Sequence, residues 1–226
     1  MRKEAIAPGE YYHIYNRGVS KRIIFYDESD YARMLFLILF CQSPILVYNI
    51  GQRIKSFSKT GDFHLAPQIK KRILENRSVE LTSFVLMPNH FHLKVCERDE
   101  GGISAYLQKV EIAYTKYFNA KYKHSGHLFQ GPFKSVHVKT NEQALHLSAY
   151  LHRNPRELAG WKNKEQNYPW SSCQDYIGQN RWGEFVKREL ILEQFSSPKE
   201  YREFLDSSPA KAEKILEPEL LIDSNY

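Results

Sequence analysis

Long apolar runs are missing from this chain. The longest, 34–41, falls well short of the roughly 20 residues that cross a bilayer. Residues 1–10 lack the apolar core of a secretory signal, which points to a soluble cytoplasmic protein with no membrane partner. Cysteine is scarce: Cys41, Cys96 and Cys173 are odd in number and lack metal-type spacing. A disulfide framework and a cysteine-built zinc site are both excluded as organising features, and a reducing compartment fits.

Basic and aromatic residues are what the chain has in quantity. A net charge of +6 accompanies a pI near 9.0, 15 tyrosines and 13 phenylalanines. Such a surface suits phosphates and stacked bases, although charge alone fits a mildly basic globular protein equally well. At 226 residues the chain is long enough to bury a core and reads as one domain with an extension.

The most informative stretch is 83–95, where apolar, β-compatible residues flank Pro88-Asn89 and are followed by His90-Phe91-His92. Side chains at i and i+2 of a strand share a face, so the two imidazoles project together while Phe91 enters the core. The pair can hold a divalent cation, although taken alone a His-x-His is more often two ordinary strand histidines.

Periodicity predicts a strand over 11–17, ended by Gly18, and then a helix from the Asp27–Asp30 caps carrying Tyr31, Met34, Leu35, Ile38 and Leu39. Residues 44–76 read as a basic insertion, mostly loop with a short helix over 68–75. Strands over 79–87 and 90–96, a helix over 103–122, a β-like segment in 128–138 and a helix over 142–153 capped by Asn141 complete the order βαββαβα. That order predicts an α+β fold: a ferredoxin-like or RRM-like antiparallel sheet with helices on one face and the other face, or its edge, open to nucleic acid. The division expected is a domain over 1–156 and a small helical extension over 157–226, with helices in 182–195 and 198–205 and a polar end from Ser207.

On the last helix of the sheet domain, His146, Tyr150 and Asn154 follow at intervals of four and share a face. A tyrosine hydroxyl can attack a phosphodiester beside a cation that Asn154 completes, or Tyr150 can be a packing residue. Tyr114 and Tyr117 read as a core or stacking stripe, and His146 as a capping or packing group.

Five blocks taken together resemble the REP-associated tyrosine transposases, within the single-tyrosine HUH transposases of bacterial insertion sequences. They are Asn16-Arg17-Gly18, Leu86 to Leu93, Ser125 to Gly131, Tyr150 to Pro155, and Trp170-Ser171-Ser172, spread in order over about 11–176. The resemblance implies a metal-dependent single-stranded DNA endonuclease and strand transferase. His90 and His92 match the family's metal-binding histidines, Tyr150 its nucleophile, and Asn154 a polar position that assists the metal. It implies Mg²⁺ or Mn²⁺, a 5′-phosphotyrosine intermediate, hairpins of palindromic repeats as partner, action at the nucleoid, and a monomer or homodimer.

Arg17, Lys21 and Arg22 after the first strand, with Lys121, Lys123 and Lys134 around the Gly126 turn, are the candidate phosphate contacts. Pro132 and the 156–160 turn depart from the family pattern and bear on hairpin contacts alone. The competing class is a non-catalytic single-stranded DNA or RNA-binding module on the same fold. A zinc hydrolase ranks last, because no third strong ligand and no general-base carboxylate are evident.

Overall fold

The computed structural model describes residues 5–208, so the polar end beyond 208 lies outside the described residues. Four strands, β1 (Tyr11–Arg17), β2 (Val79–Met87), β3 (His90–Glu97) and β4 (Lys134–His137), form one antiparallel sheet in the order β2-β3-β1-β4. The α+β fold is the expected one. On one face Ile14, Phe91, Leu93 and Val95 are fully buried, beneath α1 (Glu28–Phe40) and α4 (Gly102–Tyr122).

Alternation along the strands decides what the opposite face carries. His13, Tyr15 and Arg17 on β1 stand in register with Lys94, His92 and His90 on β3. Directly paired residues point to one face, so a row of polar groups gathers there. That face is not left bare: α5 (Asn141–Arg153) and the chain after it lie across β2 and β3. Tyr176 on α6 (Cys173–Ile177) donates to the Thr82 carbonyl at 2.8 Å, and the Lys187 amide to the Leu81 carbonyl at 2.8 Å. The open part is the β1–β4 side, where Tyr15 and Arg17 are half-buried and Lys134 is exposed.

Two local expectations change. Residues 50–60, expected as loop, form α2 (Ile50–Thr60), followed by α3 (Pro67–Glu75). Long-range aromatic packing stabilises α2: Phe57 stacks on Phe63, which meets Phe36 and Phe40 of α1. Its apolar stripe is short, and Gly51 with the basic residues Arg53, Lys55 and Lys59 hides it from a periodicity reading. Conversely, 182–195 holds only a 3₁₀ turn, Gly183–Phe185, and the single-turn α7 (Glu189–Leu192), while α8 (Pro198–Ser207) forms as expected.

The five sequence blocks converge on one end of the sheet. The Gly18 amide donates to the Asn89 carbonyl, the Ile24 and Phe25 amides to that of Pro88, and the Val19 amide to that of Leu128. The Gln130 amide donates to the Arg17 carbonyl, and that of Leu86 to Trp170. Gly18 is required by close approach: a Cβ there would stand 2.3 Å from the Arg22 carbonyl oxygen. Gly18→Ala should therefore destabilise the protein by about 1–3 kcal/mol, read as a lowered melting temperature. Unchanged melting would show that the turn yields without cost.

Candidate active site

α5 begins at Thr140, whose Oγ1 accepts from the Gln143 amide, one residue before the expected cap. It ends at Arg153, and the chain continues as a 3₁₀ turn, Asn154–Glu157. Asn154 keeps right-handed helical angles despite Pro155, so it follows Tyr150 by one turn on the same side of the helix. Tyr150 and Asn154 are both buried against the sheet. The Tyr150 ring meets the His92 ring edge-on, with centroids 5.8 Å apart, and the His13 ring at 6.3 Å. The structure thus brings Tyr150 to the histidine pair across 58 residues of sequence.

The pair itself is preorganised. The His90 and His92 rings lie 4.9 Å apart. The Asn89 amide nitrogen donates to the Lys21 carbonyl, which turns Oδ1 toward His90 Nδ1 at 2.6 Å. An acceptor there places the proton on Nδ1 and leaves the Nε2 lone pair for a ligand. His92 Nδ1 lies 2.9 Å from His13 Nε2, a contact that holds the second imidazole in place. His13 was not anticipated. Its only signal was its place on a strand, and nothing in the sequence tells which strand residue it faces.

The surroundings are electropositive. Arg17 is in register with His90, and Lys134, 5.9 Å over the Tyr15 ring, completes the row His92, Tyr15, Lys134. Deeper on the same face lies Lys94, fully buried, whose ammonium has no hydrogen-bond partner among the described residues. Burial pulls it down to about 7. Burial, followed by repulsion from Lys94, likewise pulls His152 down to about 3. Between pH 7 and the ordinary lysine value near 10.4 the folded protein holds fewer protons than the unfolded chain, so its stability rises with pH. Lys94→Met should then melt higher at pH 7, by roughly 5 °C at about 2–4 °C per kcal/mol, with the advantage shrinking toward pH 10. An equal melting temperature at pH 7 would contradict this account of Lys94.

The other expected cations divide. Lys21 and Lys123 are exposed, and Arg22 contacts His124. Lys121 is committed instead to Asp27 and Asp30, each at 2.7 Å, and bridges α4 to the cap of α1. Tyr114 donates to the Ile24 carbonyl and Tyr117 to Asp30, both on the helical side of the sheet, away from the histidines. His146 packs against Phe204.

The donors expected for a cation are the His90 and His92 imidazoles and the Asn154 carboxamide oxygen, and His13 adds a third imidazole to the same face. Among the described residues no group of three His, Cys, Asp or Glu is arranged to hold one. The donor set suits a divalent ion that keeps open positions for other oxygens.

A sequence model of the family described as "Transposase IS200 like" matches residues 45–154, which include β2, β3, the histidine pair and all of α5. Over this stretch, just under half of the chain, the sequence is similar to the IS200-like transposases. A solved structure of a REP-associated tyrosine transposase bound to a REP hairpin matches with a TM-score of 0.52 and 14% identity. The match covers 87% of this chain and 95% of that one, and at such identity it shows the shared fold. No curated protein matches the chain. The IS200-like match starts at 45, after β1, so it does not extend over His13 and Arg17. Among the described residues no helix is long and apolar enough to cross a membrane.

Proposed function

We propose that this IS200-like protein is a metal-dependent single-stranded DNA endonuclease and strand transferase that cuts at hairpin or palindromic repeat DNA. The observation that carries the reading is Tyr150 lying edge-on against His92, on a face where Arg17 pairs with His90 and the row through His92 ends in Lys134. A binding module has no need of a buried tyrosine beside two oriented imidazoles.

In this reading His90, His92 and Asn154 hold Mg²⁺ or Mn²⁺, which when bound supplies charge stabilisation to the phosphate oxygens. The Tyr150 oxygen attacks the phosphorus and loses its proton, and the bond to the 3′ oxygen breaks. A 5′-phosphotyrosine and a 3′ hydroxyl result. The phosphotyrosine conserves the energy of the broken diester, so a later 3′ hydroxyl can rejoin the strand without a nucleotide cofactor. Arg17, Lys21, Arg22, Lys123 and Lys134 would track the backbone of the strand on the open β1–β4 side. Lys121 is left out of that set, since its ammonium is held by two carboxylates. Tyr150 and the histidines belong to one chain, so a monomer supplies every named group.

The test is incubation with labelled hairpin oligonucleotides from palindromic repeats flanking the gene, with Mg²⁺, Mn²⁺ or EDTA, followed by denaturing electrophoresis. A metal-dependent covalent adduct is the expected result. Tight binding with no adduct in either metal would favour the non-catalytic binding module.

A further inference from the structure

The chain beyond 157 lies outside the stretch of IS200-like similarity, and no step of the proposed reaction uses it. Its last described helix nevertheless reaches the helix that carries Tyr150. α8 starts at Ser197, whose Oγ accepts from the Glu200 amide, and it buries Tyr201 and Leu205, one turn apart, on a single face. The Tyr201 hydroxyl lies 2.8 Å from Ser148 Oγ and 2.7 Å from His152 Nδ1. Ser148 and His152 are one turn apart on α5, with Tyr150 midway between them in sequence.

The contacts continue into the sheet. His152 Nε2 lies 2.8 Å from Ser172 Oγ, which accepts from the Phe84 amide at 2.9 Å, while the Ser172 amide donates to the Phe84 carbonyl at 3.0 Å. Phe84 precedes Val85 on β2, and Val85 stands in register with His92. A hydrogen-bonded chain thus runs from α8 through α5 to the strand beside the histidines. Tyr201, Ser148, His152 and Ser172 are all fully buried, and each is paired. Apolar side chains could fill the same volume, whereas a fully satisfied polar network admits one arrangement of the elements it joins.

We propose that the extension is a working part of the candidate active site and that Tyr201 is its positioning residue, bridging Ser148 and His152 so that the rotation of α5 aims the Tyr150 oxygen at the scissile phosphate. The inference rests on Tyr150 being the nucleophile. Two residues span about 200° of helix, so Tyr150 projects from the side of α5 opposite to the bridge, and any rotation of the helix moves both. At a side-chain radius of roughly 6 Å, a turn of about 10° carries Tyr150 by about 1 Å. A misplacement of that size can slow a reaction by about 10²-fold.

The experiment uses the full chain, a labelled hairpin and Mn²⁺, with protein in excess, and follows covalent adduct formation against protein concentration below the melting temperature of each variant. Tyr201→Phe removes the bridging oxygen and keeps the ring that packs on Tyr176 and Phe195. Its plateau rate should fall by about 10- to 10²-fold, with the half-saturating concentration within about twofold of wild type. Ile73→Val, in the fully buried core of α3 and remote from α5, should lower the melting temperature and leave the plateau rate unchanged. Should Tyr201→Phe not fold, Ser148→Ala keeps Tyr201 and its contact with His152 and should show a smaller loss of the same kind, about threefold to tenfold. A wild-type plateau rate in the folded bridge variant, or an equal loss in Ile73→Val, would overturn this inference and leave the proposed function standing. Absence of an adduct in the wild type would overturn both.

Discussion

Tyr150→Phe is expected to abolish the covalent protein–DNA adduct, with cleavage falling by roughly 10³- to 10⁶-fold, the range seen when an enzyme nucleophile is removed. The substitution removes one oxygen and keeps the ring. The edge-on contacts of that ring with His92 and His13 are made by its carbon frame, so packing against the sheet persists. Hairpin affinity and melting temperature should stay close to wild type, which separates loss of chemistry from loss of structure. Tyr114 and Tyr117, the other candidates by sequence, lie on the opposite side of the sheet with their hydroxyls bound to Ile24 and Asp30. An adduct that survives in Tyr150→Phe would therefore dismiss the assignment of the whole face.

His92→Ala should produce the second largest effect. His92 is 1% exposed and is the junction of the site: its ring lies 4.9 Å from that of His90, its Nδ1 meets His13, and Tyr150 rests against it. Removing it takes away one of two imidazole ligands and the group against which Tyr150 is placed. Cleavage should fall by at least about 10²-fold, with the apparent Mn²⁺ requirement moving to higher concentration. Truncating one partner of a buried hydrogen bond adds about 1–3 kcal/mol of destabilisation. Isothermal titration with Mn²⁺ gives a readout independent of turnover: heat of binding in wild type, and little or none in His92→Ala. Equal Mn²⁺ binding by the two proteins would remove His92 from the ligand set, whatever became of cleavage.

The comparison of sequence with structure turns on how far each signal reaches. The His90-x-His92 pair on one face, the hairpin turn at Pro88-Asn89, the helix started by Asp27 and the Tyr150–Asn154 spacing are all local. Each depends on residues within four or five positions, where strand and helix periods apply directly. Those features stood in the sequence in plain form, and the five blocks carried the family likeness. Where the reading failed, contacts from far along the chain had decided the outcome. α2 forms because Phe57 finds Phe63 and the aromatic side of α1. Lys121 is engaged because α4 ends beside the Asp27 cap of α1.

By itself, then, the sequence determined the order of elements, which strand residues share a face, and which tyrosine follows the histidines at helical spacing from Asn154. Only the tertiary structure decided that His13 meets His92, that Lys94 is buried under α5, that Arg17 and Lys134 flank the pair, and that Tyr201 of α8 reaches Ser148 and His152 on α5. The reason is register. A strand's own residues set its alternation, but its neighbours and their alignment are set by the sum of all cross-strand pairs and by what each face buries. Shifting β1 by one residue against β3 would have put Ile14 and Asn16 beside the histidines, and nothing within β1 alone forbids it.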